Sequence, residues 1–310
     1  MSNITICILS LNRLSYLREA LDSALHQTVK PAAIKIFDNG SENGFKDALL
    51  DYFESGVEWF GSETTQSAIW NFKRAVSSVT TENVLVLHDD DRLCPDFIEQ
   101  QTKFLDFNRD IDAVSCNGFF INEDGHRSGG TLRPEFTRPE TKIFESSSEV
   151  ALEYASDSCI PFSPVVYKTA SVKNIDFRTE FGKVCDAVFF CDMADIGKIA
   201  YQSTCLYECR VHAEQDSASF PQDQVEMLEN FFWSTKGTNK KVLKRLRMLL
   251  ARKYTRRVIY QIDQEFKKNK NLIRMTKISM KIFDKQFSAL EALKFVLAIS
   301  KSKAMRLFGK

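Results

Sequence analysis

The chain has 310 residues, of which 44% are apolar and 27% are charged, with a formal net charge of +1 and eight cysteines. This length and apolar content suffice for a sizeable core, which predicts one domain of about 200–250 residues with a smaller extension. The sequence has neither a signal-like start nor a stretch of about 18 apolar residues, so we expect neither a secreted nor a membrane-spanning protein. We therefore expect a cytoplasmic protein whose cysteines are thiols.

The N-terminal pattern predicts a strand, a turn and a helix. Residues 4–9 form a compact apolar run, residues 10–13 a polar turn, and leucines then recur at helical spacing over residues 14–25. A second strand at residues 34–37 ends in the polar turn at residues 38–41. Two strands therefore bring polar residues to the edge at which open α/β sheets bind ligands.

Further apolar runs continue the alternation of strands and helices. Elements are predicted, in chain order, as a strand at 57–60, a helix at 67–79, and strands at 84–87, 113–122 and 165–167. Residues 122–138 are rich in Gly, Asp, Arg and Pro, which predicts a long loop. The alternation as a whole predicts an α/β fold with a mainly parallel sheet flanked by helices.

The most informative segment is His88-Asp89-Asp90-Asp91, which follows the buried strand predicted at residues 84–87. Three adjacent carboxylates repel one another unless they are solvated or neutralised by a cation, and carboxylate oxygens suit the hard ions Mg²⁺ and Mn²⁺. The alternative is an acidic turn that caps the helix predicted to begin near Pro95.

Several separated segments resemble the family 2 glycosyltransferases, which have the Rossmann-like, nucleotide-sugar-binding GT-A fold. Residues 10–13 resemble the family's Thr-Tyr-Asn-Arg turn, and residues 36–41 resemble its Val-Val-Asp-Asp-Gly-Ser segment. Asn39 stands where the family has a second Asp, so uracil and thymine both stay open as the base of the donor. The resemblance implies a donor site that contains Ser10, Asn12, Arg13, Asp38, Asn39 and Asp89.

The acidic segment resembles the family's metal-binding Asp-x-Asp motif, which a Pro-Asp or Pro-Glu pair follows. Counted back from Pro95, His88 takes the place of the first Asp and Asp90 takes the metal-binding position. The resemblance implies that Asp90 and Asp91 bind Mg²⁺ or Mn²⁺. Residues 207–212 resemble the family's Tyr-Arg-x-His ending, which implies that His212 lies at the metal site or the diphosphate; a structural role is the alternative for this histidine.

The helix predicted at residues 67–79 resembles the family helix that faces the nucleotide sugar. The resemblance implies that Asn71 and Arg74 contact the donor. The alternative for Arg74 is a solvated surface charge. For Asp38, the alternative to a donor contact is the capping of its own turn, since Asp and Asn bond their neighbouring backbone there.

Residues 181–190 resemble the family segment in which an Asp opens a helix and acts as the catalytic base. The resemblance implies this role for Asp186, although Cys185 stands where the family has Glu. A general base typically contributes about 10²–10⁴-fold to the rate. An N-cap role is the alternative for Asp186, and Asp192 and Asp195 are rival carboxylates on the same predicted helix.

Together the motifs predict an inverting, metal-dependent glycosyltransferase. It would transfer a sugar from a UDP- or dTDP-sugar to a glycan or lipid-linked glycan acceptor in bacterial surface polysaccharide (capsule or O-antigen) synthesis. A nucleotidyltransferase acting on sugar phosphates is an alternative, but it would carry a Gly-rich phosphate loop that residues 10–13 lack. A non-catalytic glycan-binding protein is a second alternative, and it would not need Asp90 and Asp186 together.

The predicted domains are a catalytic domain at residues 1–220 and a basic helical extension at residues 221–310. Residues 230–310 hold about half of the 42 Lys and Arg but only four acids: Asp263, Glu265, Asp284 and Glu291. The amphipathic stretch at residues 290–308 suits either an anionic membrane surface, on the inner face of the cytoplasmic membrane, or packing on the catalytic domain. We expect no nucleic-acid partner, because no recognition motif accompanies the charge.

Overall fold

The computed structural model describes residues 2–213, 221–237 and 239–269. The chain divides into two compact units, Met1–Leu243 and Lys244–Lys310. The first unit holds the sheet and most of the helices. The amphipathic stretch predicted at residues 290–308 lies outside the described residues.

Ten strands form one sheet in the part of the chain that the structure describes. They are β1 (Ile4–Ser10), β2 (Ala33–Asp38), β3 (Glu58–Phe60), β4 (Asn83–His88), β5 (Arg92–Leu93), β6 (Ile111–Ile121), β7 (Arg127–Thr131), β8 (Thr141–Phe144), β9 (Val165–Lys168) and β10 (Lys198–Arg210). Their order is β3-β2-β1-β4-β9-β6-β10-β5, with β7 beside β6 and β8 beside β10. Strands β1, β2, β3, β4, β6 and β10 share one direction, which confirms the mainly parallel sheet.

Helices of the first unit flank this sheet, as predicted. They are α1 (Leu14–Leu25), α2 (Leu50–Glu54), α3 (Ala68–Ser77), α4 (Phe97–Phe107), α5 (Ser147–Ala155), α6 (Thr169–Val172), α7 (Cys185–Ile196) and α8 (Gln222–Ser234). Helix α9 (Lys240–Asn269) lies mostly in the second unit. Helix α3 begins where its cap residue Ser67 accepts a hydrogen bond from Trp70 N at 3.1 Å.

The centre of the sheet is buried on both faces, which explains the continuous apolar runs of β1 and β4. On one face, Ile6 and Ile8 share a core with Leu17 and Leu21 of α1. Helix α3 contacts β1 as well. Truncation of a fully buried leucine such as Leu21 to alanine typically costs about 2–5 kcal/mol, so this packing holds the ends of β1 and β4 in place.

The segment 122–138, which was predicted to be a long loop, contains strand β7. This strand pairs antiparallel with β6 through Phe119 opposite Thr131 and Ile121 opposite Arg127. Its sequence, Arg-Ser-Gly-Gly-Thr, is largely exposed and lacks the alternating apolar residues by which strands are predicted. The prediction was therefore wrong for residues 127–131.

Candidate active site

The carboxyl ends of three adjacent parallel strands meet at one edge of the sheet. Strand β1 lies between β2 and β4, with Ser10 opposite Asp38 and Leu9 opposite His88. Beyond the strands, Asp89 N donates a hydrogen bond to Leu9 O at 3.1 Å. The turns predicted as donor and metal sites therefore adjoin each other, at the edge where open α/β sheets bind ligands.

Asp89 is buried behind the turn between β1 and α1, with only 2% of its surface exposed. Its carboxylate accepts hydrogen bonds from Leu11 N at 3.1 Å and Arg13 Nη1 at 3.2 Å. Burial and, next, the charge of Asp90 raise the pKa of Asp89 to about 6, while Arg13 acts against this shift. These contacts fix the predicted donor turn against the acidic segment.

Asp90 is the carboxylate on which two other predicted site residues converge. Its Oδ2 lies 3.0 Å from His212 Nε2 and 3.2 Å from Arg13 Nη1. Burial alone would raise the pKa of Asp90, but the charge of His88, the hydrogen bond from His212 and the charge of Arg13 hold that pKa below its usual value. Asp90 is therefore an anion at neutral pH, as a metal ligand must be.

Asp91 is buried and held by a backbone amide and a hydroxyl. Arg210 N donates to its Oδ1 at 3.2 Å, and Ser163 Oγ donates to its Oδ2 at 3.2 Å. Burial and, next, the charge of Asp90 raise the pKa of Asp91 well above its usual value. The Ser163 hydroxyl also accepts from His88 N at 2.9 Å, so it joins both ends of the acidic segment.

The arrangement of donor atoms fits a divalent cation. One ligand atom each from His88, Asp90 and Asp91 lies within 4.8 Å of the other two. Two ligands that are each about 2.1 Å from Mg²⁺ stand at most about 4.2 Å apart, so small side-chain shifts would place all three in one coordination sphere. Carboxylate oxygens suit Mg²⁺ and Mn²⁺, and His212 adjoins this group through Asp90.

The turn after β2 is ordered by Asp38. Its carboxylate accepts hydrogen bonds from Gly40 N at 3.2 Å, from Ser41 N at 3.0 Å and from the Ser41 hydroxyl. Asn12 has a φ of +55°, a left-handed conformation that Asn adopts more readily than most residues, and its N donates to Ser41 Oγ at 2.8 Å. The two turns that were predicted to bind the donor are thus hydrogen-bonded to each other. Asp38 also makes the contacts expected of its alternative role, which is to cap its own turn.

The Asn39 side chain binds the backbone of Gln66 through both of its polar groups. Nδ2 donates to Gln66 O at 2.8 Å, and Oδ1 accepts from Gln66 N at 3.1 Å. An ionised Asp in this place would have no proton to offer Gln66 O. The structure therefore gives a physical reason for Asn at the position where the family has its second Asp.

Asn71 and Arg74 of α3 hold the ends of β2 and β3. Asn71 Nδ2 donates to Phe37 O at 2.7 Å. The Arg74 guanidinium donates to Asp38 O at 2.8 Å and Gly61 O at 3.0 Å. Arg74 is therefore not a purely solvated charge, and its contact with a donor stays a prediction.

Asp186 lies in the first turn of α7, which begins at Cys185. The N-cap position is Val184, so the N-cap alternative for Asp186 does not hold. Ala187 N donates to Asp186 Oδ1 at 2.7 Å. Burial raises the pKa of Asp186 to about 6, a value that suits a general base near neutral pH.

The rival carboxylates of α7 have structural partners. Asp192 Oδ1 accepts from Arg178 Nη2 at 2.8 Å, and Asp195 Oδ1 accepts from Ser147 N at 2.8 Å. Both contacts tie α7 to neighbouring segments. They give Asp192 and Asp195 a role in folding that needs no substrate.

An aromatic cluster connects α7 with the acidic segment. The Phe162 ring lies 5.9 Å from the rings of Phe189 and Phe190 on α7 and 6.3 Å from the ring of His88. The helix that carries Asp186 is thereby packed close to the end of β4.

Sequence reasoning assigned no role to Phe162, Ser163 or Arg210. The first two lie between α5 and β9, in a segment without a periodic pattern. Arg210 lies within the motif at residues 207–212, and this motif was the sequence signal by which its role could have been found. Its Nε donates to Asp90 O at 3.0 Å.

Comparison with known proteins identifies the family. Residues 5–166 match the description "Glycosyl transferase family 2", which is just over half of the 310 residues. The chain belongs to glycosyl transferase family 2. The resemblance inferred from its separated motifs is thus confirmed, and the protein is a glycosyltransferase.

Two relatives of this enzyme are likewise described as glycosyltransferases. An uncharacterized glycosyltransferase of Rickettsia typhi is 24% identical over 286 residues, which cover 91% of this chain and 85% of the relative. An uncharacterized glycosyltransferase of Methanocaldococcus jannaschii is 26% identical over 114 residues, which cover 36% of this chain and 39% of the relative.

Solved structures confirm the GT-A fold of the enzyme. TarS 1–349 of S. aureus in complex with UDP-GlcNAc superposes with a TM-score of 0.59 at 16% identity, over 90% of this chain and 79% of that one. The match to the longer TarS chain covers 46% of it. The mannosyltransferase PcManGT of Pyrobaculum calidifontis, in complex with GDP-Man and Mn²⁺, superposes with a TM-score of 0.56 at 12% identity. This match covers 99% of this chain and 81% of PcManGT. Among the described residues, no helix is both long and apolar enough to cross a bilayer.

Proposed function

We propose that the enzyme transfers a sugar from a UDP- or dTDP-sugar to a glycan or lipid-linked glycan, with inversion and with help from Mg²⁺ or Mn²⁺. The observation that carries this proposal is the meeting of the Asp38 turn and the His88–Asp91 segment at the carboxyl ends of β2, β1 and β4. The nucleotide sugars bound to TarS and PcManGT support a donor of this class. We place catalysis in residues 1–220.

The donor would lie along the sheet edge. The turns that contain Ser10, Asn12 and Asp38 would receive the nucleoside, because they form one hydrogen-bonded surface. Arg13, whose guanidinium lies 3.2 Å from carboxylate oxygens of Asp89 and Asp90, stands where a diphosphate would need a cationic partner. Contacts to the donor from Asn39, Asn71, Arg74 and Asp89 remain part of the proposal.

Asp90, Asp91 and His212 are the proposed holders of the cation. The chemistry that a bound cation supplies is neutralisation of the negative charge that grows on the leaving diphosphate. The anionic state of Asp90 supports this assignment, since its pKa lies below the usual value. Buried Asp91 would fix the orientation of the segment through Arg210 N and Ser163 Oγ.

Asp186 is the proposed general base. It would accept the proton of the acceptor hydroxyl as that oxygen attacks the anomeric carbon. If the base and the leaving diphosphate stand on opposite sides of the sugar, the displacement is in line and inverts the anomeric centre. The raised pKa of Asp186, near 6, supports the role because the carboxylate is ionised at pH 7 yet still basic.

The acceptor is proposed to belong to bacterial surface polysaccharide synthesis, in capsule or O-antigen formation. The excess of Lys and Arg in residues 230–310 supports a second partner, an anionic membrane surface on its cytoplasmic side. The described part of this region includes the exposed residues Lys241, Lys244 and Arg245 of α9.

Donor hydrolysis tests the proposal without knowledge of the acceptor. The enzyme is incubated with UDP-, dTDP- and GDP-sugars in Mn²⁺ or Mg²⁺, and with EDTA as the control. We expect slow release of nucleoside diphosphate from a UDP- or dTDP-sugar, loss of the reaction in EDTA, and a sugar product of inverted anomeric configuration by NMR.

Two results would favour the alternatives. Release of pyrophosphate from a nucleoside triphosphate and a sugar 1-phosphate would identify a nucleotidyltransferase. Glycan binding without release of nucleotide from any donor would identify a non-catalytic glycan-binding protein. The family match supports neither of these.

A further inference from the structure

We propose that His88 is a direct ligand of the divalent cation and that its imidazole makes the enzyme prefer Mn²⁺ to Mg²⁺. The inference rests on the proposed metal-dependent transfer and specifies the cation for that site. It concerns the position at which this chain has an imidazole where the family motif has a carboxylate.

The position of His88 is fixed by its backbone and by its ring. It is the last residue of β4, its N donates to Ser163 Oγ at 2.9 Å, and its ring lies 6.3 Å from that of Phe162. A ring nitrogen of His88 lies within 4.8 Å of oxygens of both Asp90 and Asp91. His88 therefore offers a nitrogen donor inside the same small group of atoms as the two carboxylates.

The donor set decides which cation binds best. Mg²⁺ prefers oxygen ligands in near-ideal octahedral geometry and gives up its water reluctantly. Carboxylates suit Mg²⁺ and Mn²⁺ alike, whereas imidazole is a ligand of first-row transition metals rather than of Mg²⁺. Of these two ions, Mn²⁺ is therefore the one that a histidine ligand favours. With His88 in the group, and with His212 Nε2 at 3.0 Å from Asp90, the site offers up to two imidazoles.

Arg13 strengthens this preference. Its guanidinium lies 3.2 Å from oxygens of both Asp89 and Asp90 and offsets part of their negative charge. Mg²⁺ depends on that charge, because it binds carboxylates almost entirely by electrostatic attraction. A bond between Mn²⁺ and a neutral imidazole depends on it less, so the loss of charge weakens Mg²⁺ more than Mn²⁺.

The first measurement is the pulsed EPR spectrum of Mn²⁺ bound to the full chain, alone and with UDP or dTDP. A coordinated imidazole gives a ¹⁴N hyperfine coupling, which oxygen ligands do not. The other two histidines are separate from this group: His26 bonds Asp22 O through Nδ1, and His126 lies exposed beside β7. We expect the coupling in the wild type and in His212→Gln, where His88 is the imidazole that remains at the site.

The second measurement is the ratio of Mn²⁺ to Mg²⁺ affinity by calorimetry. His88→Asp should raise Mg²⁺ affinity relative to Mn²⁺ and lower the ratio by about tenfold or more, since even partners that only support metal ligands change affinity by about 10–100-fold. His126→Asp introduces the same charge at an exposed histidine and should leave the ratio unchanged.

Absence of ¹⁴N coupling in the His212→Gln protein with bound Mn²⁺ would overturn the proposal, even if His88→Asp failed to fold. An unchanged Mn²⁺ to Mg²⁺ ratio in folded His88→Asp would overturn it as well. Either result can be told apart from failure of the proposed function. If the protein still hydrolyses donors while one of these results is found, it transfers sugars with a cation site that does not use His88.

Discussion

His212 Nε2 lies 3.0 Å from Asp90 Oδ2, although 122 residues separate the two in the chain. The contact joins the segment after β10 to the segment after β4. The hydrogen bond from His212 helps to hold the pKa of Asp90 below its usual value. It also places the Asp90 carboxylate beside His212, which is a second candidate ligand of the cation. The pair is therefore the natural place to begin testing the proposed cation site.

Asp90→Asn should abolish Mn²⁺-dependent nucleotide binding while the fold is kept. The amide retains an oxygen that can accept from Arg13 and His212, but it lacks the charge that binds a cation. UDP affinity is measured by calorimetry with and without Mn²⁺. Asp106→Asn, at the exposed end of α4, is the matched control, and an unchanged Mn²⁺ effect in Asp90→Asn would refute the assignment.

Asp186→Asn should lower the rate of transfer by about 10²-fold or more and leave donor affinity unchanged, because a general base acts in the transition state. The comparison variant is Asp192→Asn, which removes a carboxylate from the same helix. Single-turnover transfer and equilibrium donor binding are measured for both. If Asp192→Asn loses transfer and Asp186→Asn keeps it, Asp192 is the base.

The pH profile should show the loss of this base in acid. Burial raises the pKa of Asp186 to about 6, so a protonated and inactive carboxyl accumulates as the pH falls through about 6. The transfer rate with saturating donor should therefore be level near pH 7–8 and fall about tenfold per pH unit below about 6. Asp89 also titrates near pH 6, so donor binding must be followed separately; a rate that stays level down to pH 4.5 would argue against Asp186.

Arg74→Ala should lower the free energy of unfolding by about 2–3 kcal/mol, in the range of hydrogen bonds from a charged donor. Its guanidinium contacts the carbonyls of Asp38 and Gly61, so the ends of β2 and β3 would loosen. Urea unfolding measures the change, and Lys73→Ala, an exposed neighbour, should cost less than about 1 kcal/mol. Full stability together with weakened donor binding would show that Arg74 serves the donor alone.

Removal of residues 289–310 should reduce binding to anionic vesicles and leave donor hydrolysis intact. Each Lys or Arg near an anionic surface contributes about 1 kcal/mol to the free energy of membrane binding, and salt screens this attraction. Cosedimentation with anionic and neutral vesicles at low and high salt is the measurement. Equal binding by the shortened and full chains would show that this stretch is not the membrane contact.

The parts of the fold that could be predicted are those with a repeating apolar pattern. β1, α1, β2 and β4 have such patterns, and their polar ends then follow from parallel pairing. Strand β7 was missed because its exposed Gly and Ser carry no apolar pattern, and Asp124-Gly125 in the turn before it was the only sequence signal of a hairpin with β6.

The sequence indicated which residues of the candidate site would lie near one another, but not the contacts between them. The order of motifs along the chain pointed to Asp90 and His212, and the structure places them together. That both polar groups of Asn39 bind Gln66 could not be foreseen, since the path of the loop before α3 depends on tertiary packing. Likewise, the role of Ser163 depends on a contact with Asp91 across 72 residues.

The buried Arg210 affects how mutational screens of this enzyme should be interpreted. All three guanidinium nitrogens donate inward, to the carbonyls of Asp90, Asn122 and Glu123 and to the Glu19 carboxylate. Any substitution would remove this donor from three carbonyls and from the Glu19 carboxylate, so such variants should fall in cellular abundance as well as in turnover. A survey scored by activity alone would rank Arg210 with the residues that touch substrate, and only a parallel measure of protein level would separate the two classes.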